Sequence, residues 1–266
     1  PGAAGYMPVK IGGFEAVVGV GFGAPFAIVG DWADTGPHSQ NMIDQELFSI
    51  DLSPTVAFKL TKDISVGASL NIQTFNFLKL QTALDGLGIA GGALTLQTKD
   101  KFTLPVPPWG FDAGFEAVGV TLGAEANVMP GVKLGVAYRS KQENEFEGTA
   151  RIRDGAGNIL STTSFKANVD LPGHLQVGGS FEVLPGFLTV FTDVQWTMWS
   201  DTDTFGKASV VKTPGLLGPV NGLRLDYKAD DTVSFRIGGE ITPASLPGWA
   251  FRAGYWYDPS PFPDGT

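Results

Sequence analysis

The chain has 266 residues, no Cys, a formal charge of −9 and 43% hydrophobic residues. A disulfide scaffold, thiol chemistry and thiolate metal sites are therefore closed to it, the hydrophobic content excludes a disordered chain, and the acidic balance argues against a nucleic-acid partner, which needs clustered Lys and Arg. Gly at 36 residues, aromatics at 11% and charged residues at only 17% suit a β-protein better than a helical one.

From the N-terminal side, the first long uncharged run is 16–30, too short for a membrane helix of about 20 residues. It carries Gly19, Gly21, Gly23 and Pro25, which disfavour helix. Phe14, Ala16, Val18, Val20 and Phe22 alternate instead with Glu15, Val17, Gly19, Gly21 and Gly23, the pattern of a strand near 14–26. The sequence starts at Pro1 with no initiator Met or signal peptide, so it reads as a segment, a single domain over 1–266. The lack of a targeting signal then says nothing about its compartment.

Residues 47–60 show the period most clearly. Phe48, Ile50, Leu52, Val56, Phe58 and Leu60 oppose Ser49, Asp51, Ser53, Thr55 and Lys59, which gives one apolar and one polar face. After Thr61-Lys62-Asp63, the residues Ile64, Val66, Ala68, Leu70 and Ile72 repeat the alternation. The same template fits strands near 118–127, 132–139, 174–183, 187–199, 232–241 and 249–258, about nine in all. Short links at 61–63, 129–131, 184–186 and 242–248 alternate with long ones at 27–46, 79–112, 153–173 and 200–231. A soluble barrel or sandwich alternates equally well but has no reason to separate short and long links. An outer-membrane barrel does, with short periplasmic turns, long extracellular loops and an apolar face toward lipid. Trp249, Tyr255, Tyr257, Trp196 and Phe187 on the apolar face at strand ends suit aromatic girdles. The expected fold class is thus all-β, a transmembrane antiparallel up-and-down β-barrel.

Motifs for chemistry are weak. Residues 86–91 match GxGxxG but lack the βαβ setting a nucleotide fold needs. Asp201-Thr202-Asp203 fails as a calcium loop, because Phe205 and Lys212 stand where ligands should. His38 and His174 have no recognisable nucleophile partner, and no GxSxG occurs. No enzyme, metal or cofactor is expected.

Two features do suggest function. Gly23-Ala24-Pro25-Phe26 places a residue without an N–H in a strand. On pattern alone this is either a bulge or gap in the wall, or a Pro near the strand end where no ladder bond is lost. The stretch 79–112 is rich in apolar residues, Leu84, Leu87, Ile89, Leu94, Leu96 and Trp109 among them. Such a loop either packs on other loops or binds an apolar ligand. Phe75 and Phe77 are expected on the inward face just below it.

The stretches FGAPFAIVGDW (22–32), LSPTVAFKLTKDISVGASLNI (52–72), VKLGVAYRSKQENEFEG (132–148), VDLPGHLQVGGSFEV (169–183), TDVQWTMWS (192–200) and FRAGYWYDPSPFPD (251–264) together resemble the FadL/TodX family of outer-membrane transporters for long-chain fatty acids and other hydrophobic compounds. The resemblance implies a barrel of about 14 strands plugged by an N-terminal hatch, of which this chain carries about the third to eleventh. Hatch, first strand pair and last three strands are missing, so closure of this segment alone is not implied. It also implies a kink opening a lateral gap at Gly23, Ala24, Pro25 and Phe26.

The expected function is passive import of long-chain fatty acids or other hydrophobic molecules by a monomeric barrel in the outer membrane of a Gram-negative bacterium. The ligand would be captured among the 79–112 and 149–170 regions and released sideways into membrane lipid. Arg139, Arg236 or Arg252 would pair with a carboxylate, or else with lumen acids such as Asp193, Glu182 and Glu240. The alternative is a general diffusion porin for small polar solutes.

Overall fold

A computed structural model describes residues 2–31, 44–84, 89–98, 117–207, 209–217, 220–225 and 227–263. They form fifteen strands: β1 (Gly2–Ile11), β2 (Phe14–Asp31), β3 (Asp44–Lys59), β4 (Ile64–Ala83), β5 (Ala93–Thr98), β6 (Ala117–Met129), β7 (Val132–Arg139), β8 (Glu145–Arg153), β9 (Ile159–Asn168), β10 (His174–Leu184), β11 (Leu188–Thr197), β12 (Ser209–Leu217), β13 (Val220–Leu225), β14 (Thr232–Ile241) and β15 (Phe251–Tyr257). Neighbours pair antiparallel in the order β1-β2-β3-β4-β6-β7-β10-β11-β14-β15, an up-and-down wall of ten strands. The wall ends at β1 and β15, which do not pair with each other among the described residues.

Two neighbouring rows explain the wall. Met7, Val18, Val56, Ala68, Leu122, Tyr138, Leu175, Trp196 and Val233 follow one another across the ladders. One residue along, the row reads Tyr6, Gly19, Thr55, Ser69, Thr121, Arg139, His174, Thr197 and Thr232. The first is apolar almost throughout and the second mostly polar or Gly. On the apolar side Phe22, Leu70, Val120, Val136, Val177, Val194, Phe235 and Tyr255 are all exposed. An exposed apolar face this continuous has no place in water and suits lipid.

All nine strands read from alternation are present. The tenth wall strand, β1, turns into β2 through Gly12 and Gly13, whose φ of 59° and 87° fit a two-residue hairpin.

The long links are not plain loops. Strand β4 runs on to Ala83, and β5 returns along its outer half through Lys79↔Gln97 to Ala83↔Ala93. From β5 a branch continues through β8, β9, β12 and β13. The segments expected as connections at 79–112, 153–173 and 200–231 therefore contain much of this branch of the sheet, here the cap. Its alternate residues Leu94, Leu96, Phe146, Ala150, Ile152, Phe165 and Ala167 are buried together with Leu47 and Leu78 of the wall. Phe165 lies opposite Gly148. A Cβ at Gly148 would run into the Gln97 carbonyl oxygen and stand 2.5 Å from the Phe165 ring, so only Gly lets β5, β8 and β9 close.

Gly148→Ala is expected to cost about 1–3 kcal/mol by overpacking and to loosen β5 from β8. Protease cleavage within 89–98 should rise several-fold while the wall keeps its heat-resistant, compact migration on a gel.

Candidate ligand site

The cap joins the wall at one level. The row Gly2, Gly23, Asp51, Gln73 and Ala117 marks the last β1–β2 pair, the last β4–β6 pair and the start of β6. Two irregularities flank β3 here. Gly23 pairs with Asp51 but Phe26 with Ser49, so Ala24 and Pro25 face the single residue Ile50. On the other side Gln73 pairs with Asp51 and Phe75 with Ile50, leaving Thr74 as the extra residue. Each is a β-bulge, and each shifts the strand's alternation by one. The first falls at Ala24–Pro25, within the stretch 23–26 singled out in the sequence.

The second bulge corrects an expectation. Phe75 pairs with Ile50 and Phe77 with Phe48. Leu47, Ser49 and Asp51, on the opposite face of β3, are buried inward. Phe77 is thus on the outward side of the wall, because Thr74 inverts the phase beyond it. Leu84, Leu94 and Leu96 are buried in the cap core, with Ile89 half-buried against it. Of the two readings of that apolar stretch, these residues follow the one in which it packs on neighbouring elements. Leu87 and Trp109 lie outside the described residues.

Below the apolar cluster lies a polar layer. Beyond β7 the chain turns inward as a strap. The Ser140 hydroxyl accepts the Val120 N–H at 2.9 Å, and Gln142 and Leu171 exchange backbone bonds of 3.0 and 2.8 Å. The Val169 N–H donates to the Asn144 carbonyl at 2.8 Å. Gln142, fully buried, donates through Nε2 to the Asn71 carbonyl at 3.1 Å and accepts from Arg139 Nη2 at 2.6 Å. A Cβ on Gly119 would stand 2.7 Å from Gln142 Cγ, so Gly119 makes room for the strap. Asn71 Nδ2 donates to Thr121 Oγ1 at 2.7 Å.

Each candidate arginine already holds a carboxylate. Arg139 pairs with Asp51, whose side chain is 5% exposed. Arg236 lies 2.8 Å from Asp193, which also accepts from Gln176 at 3.0 Å. Arg252 lies 2.5 Å from Glu240 on the exposed end of the wall. The sequence reading paired lumen arginines with lumen acids as one alternative, but missed Asp51 as Arg139's partner and missed Gln73, Gln142 and Asn144 altogether. Among the described residues, four buried side-chain atoms have no hydrogen-bond partner: Asp51 Oδ1, Gln73 Oε1, Gln73 Nε2 and Asn144 Oδ1. Among the described residues no His, Asp or Glu cluster could hold a metal.

Breaking a buried ion pair from one side strands the other charge. Arg139→Met is expected to destabilise the protein by about 3–5 kcal/mol, read as a lowered urea midpoint in detergent. Adding Asp51→Asn should recover most of that loss.

The family described as outer membrane protein transport protein (OMPP1/FadL/TodX) matches residues 3–266 of the chain. Among solved structures, a FadL homologue of Pseudomonas aeruginosa superposes with a TM-score of 0.74 at 18% identity, over 97% of this chain and 60% of that one. The toluene transporter TbuX of Ralstonia pickettii gives 0.66 at 21% identity, over 96% and 68%. The toluene transporter TodX of Pseudomonas putida gives 0.64 at 19%, over 98% and 70%. At these identities the likeness is one of fold, and the chain spans about 60% of the length of the FadL homologue. None of the curated proteins matches it. With a lipid-facing wall and a family match running from residue 3 to its last residue, the chain belongs to the OMPP1/FadL/TodX family of outer-membrane transport proteins.

Proposed function

We propose that the protein passes apolar small molecules inward across the outer membrane without an energy source. A ligand is captured at the extracellular cap, moves to the boundary between the cap's apolar cluster and the polar layer, and leaves sideways through the wall near Ala24–Pro25 into the membrane. The observation that carries this reading is the coincidence of levels. The β2–β3 ladder skips at Ala24–Pro25 on the same row where the polar layer begins, through Asp51 and Gln73. An apolar molecule crosses a water-filled pore poorly but follows apolar surface readily. A polar floor beneath the cluster favours a sideways exit over onward passage down the lumen.

The charges support a choice of substrate class. Arg139, Arg236 and Arg252 each hold an acid, which supports a neutral ligand over a fatty-acid carboxylate. The fold shared with TbuX and TodX, both described as toluene transporters, makes aromatic hydrocarbons the first compounds to test, with long-chain fatty acids beside them.

Pro25→Ala combined with Gly23→Val is expected to lower uptake of labelled toluene by cells about tenfold, on the order of 1.4 kcal/mol in the exit step, with normal assembly of the barrel. Unchanged uptake would remove the lateral exit. Steady ionic conductance of the intact protein in a planar bilayer would favour the diffusion porin instead.

A further inference from the structure

Strand β3 is the irregular member of the wall. Among the described ladders, those of β1–β2, β4–β6, β7–β10, β11–β14 and β14–β15 run without a break. Those of β6–β7 and β10–β11 shift only beside their hairpin turns. Both ladders of β3 break in mid-strand, at Ala24–Pro25 on the β2 side and at Thr74 on the β4 side. The β4 side then breaks a second time. Ser53 and Pro54 have no ladder partner there, although the register sets them opposite Asn71 and Leu70. The cause is Pro54, which keeps its place opposite Val20 of β2 but has no N–H to give. In a strand the N–H and C=O of one residue point to the same neighbour. The Pro54 carbonyl lies on the β4 side, 3.2 Å from Ser69 Oγ, so the bond that Pro54 forgoes is one to β4.

Side chains close what the backbone leaves open. The Ser69 hydroxyl stands 3.3 Å from the Leu70 carbonyl, and with one proton it cannot serve that carbonyl and Pro54's at once. The Thr74 hydroxyl donates to the Ile50 carbonyl at 3.3 Å. Between the two breaks only Asp51↔Gln73 and Leu52↔Ile72 remain as ladder pairs. The first is not reinforced by its side chains. Asp51 Oδ1 and both ends of the Gln73 amide have no partner among the described residues, and the other Asp51 oxygen is held by Arg139 of β7. From these breaks we infer that residues 50–54 of β3 form a movable stave of the wall, and that the ligand leaves when this stave parts from β4, with Thr74 and Ser69 holding it closed.

The inference rests on the transport reading above and gives its exit a moving part. The skip at Ala24–Pro25 frees the top of the stave from β2, while Gly23, Phe22, Gly21 and Val20 stay paired with residues 51–54. The stave therefore moves with β2 and opens toward β4. Parting there gives up few ladder bonds, which matters where lipid offers no replacement for them. On the lumen side the seam begins at Asp51 and Gln73, in the polar layer. On the lipid side it ends at Pro54 in a groove of about 420 Å³, also lined by Val56, Ala68, Leu70, Val120 and Leu122. An apolar molecule passing the seam meets apolar surface at once.

The test is a reversible cross-link. The chain has no Cys, so an introduced pair is the only one it carries. Leu52→Cys with Ile72→Cys places two thiols opposite each other within the stave. Phe58→Cys with Val66→Cys places them opposite each other on the same ladder beyond Pro54. Uptake of labelled toluene by cells is measured with each pair reduced, then oxidised or bridged by a short bifunctional thiol reagent, then reduced again. Closing the 52–72 pair is expected to lower uptake about tenfold, and reduction of its disulfide should restore it. Closing the 58–66 pair should leave uptake within about twofold. Unchanged uptake with the 52–72 pair closed overturns the inference, and the Pro25→Ala with Gly23→Val variant then judges the lateral exit separately. Equal loss from both cross-links also overturns it, because stiffening anywhere on the ladder would then suffice. No uptake of labelled toluene or labelled oleate by the unmodified protein removes the transport reading and this inference with it. Should the cysteine pair in the stave not assemble, Pro54→Val decides. It returns an N–H to the Leu70 carbonyl and should lower uptake about threefold, and unchanged uptake by it overturns the inference.

Discussion

Inside a lipid bilayer no water is available to satisfy a backbone N–H or C=O, so each must find its partner in the sheet. The rest of this structure depends on that constraint. It makes the wall a continuous antiparallel ladder, which fixes the register of every strand relative to the next. It also makes alternation the only freedom left to side chains, so one row can be Val18, Val56, Ala68 and Leu122 while its neighbour is Gly19, Thr55, Ser69 and Thr121. Where the ladder shifts, at Ala24–Pro25 and at Thr74, the departure is therefore informative. Both shifts flank Ile50, at the level where the cap departs from the wall.

That level is also where the interior changes character. Outward of it, leucines and Phe146 fill the space under the cap. At it, the strap from β7 carries Gln142 across the lumen face into contact with Asn71 and Arg139. Gly119 is the steric condition for this crossing, and the buried Asp51–Arg139 pair fixes its charge. Apolar cluster, polar floor and wall irregularity thus meet at one level, to which β2, β3, β4, β7 and the strap all contribute.

Much of the wall was legible in the sequence, because an apolar residue at every second position survives in any antiparallel strand facing lipid. The strands that escaped notice lack that signal for identifiable reasons. In β8 the inward residues include Gly148 and Ala150, too small to mark a period. Strand β12 carries Pro214 and Gly215 in its span, which read as a turn. Strand β5 has only six residues. The phase inversion at Thr74 was illegible, since nothing in Gln73-Thr74-Phe75 announces an extra residue, and it moved Phe77 to the far side of the wall. The site itself was the least visible part. Asp51 and Arg139 stand 88 positions apart, and only the folded ladder brings them together. The arginines were recognised as candidates by residue type, but their partners are set by register.

The cap joins the wall's ladder through five cross-strand pairs of β4 and β5 and packs on Leu47 and Leu78, while the wall's register is held by its own longer ladders. Such a junction leaves the register of the wall independent of the side chains the cap carries. The cap can exchange side chains, lengthen its hairpins or be replaced by another hairpin set without any membrane strand slipping against its neighbour. A change among the cap's outer residues therefore leaves the lipid-facing ladders as they are.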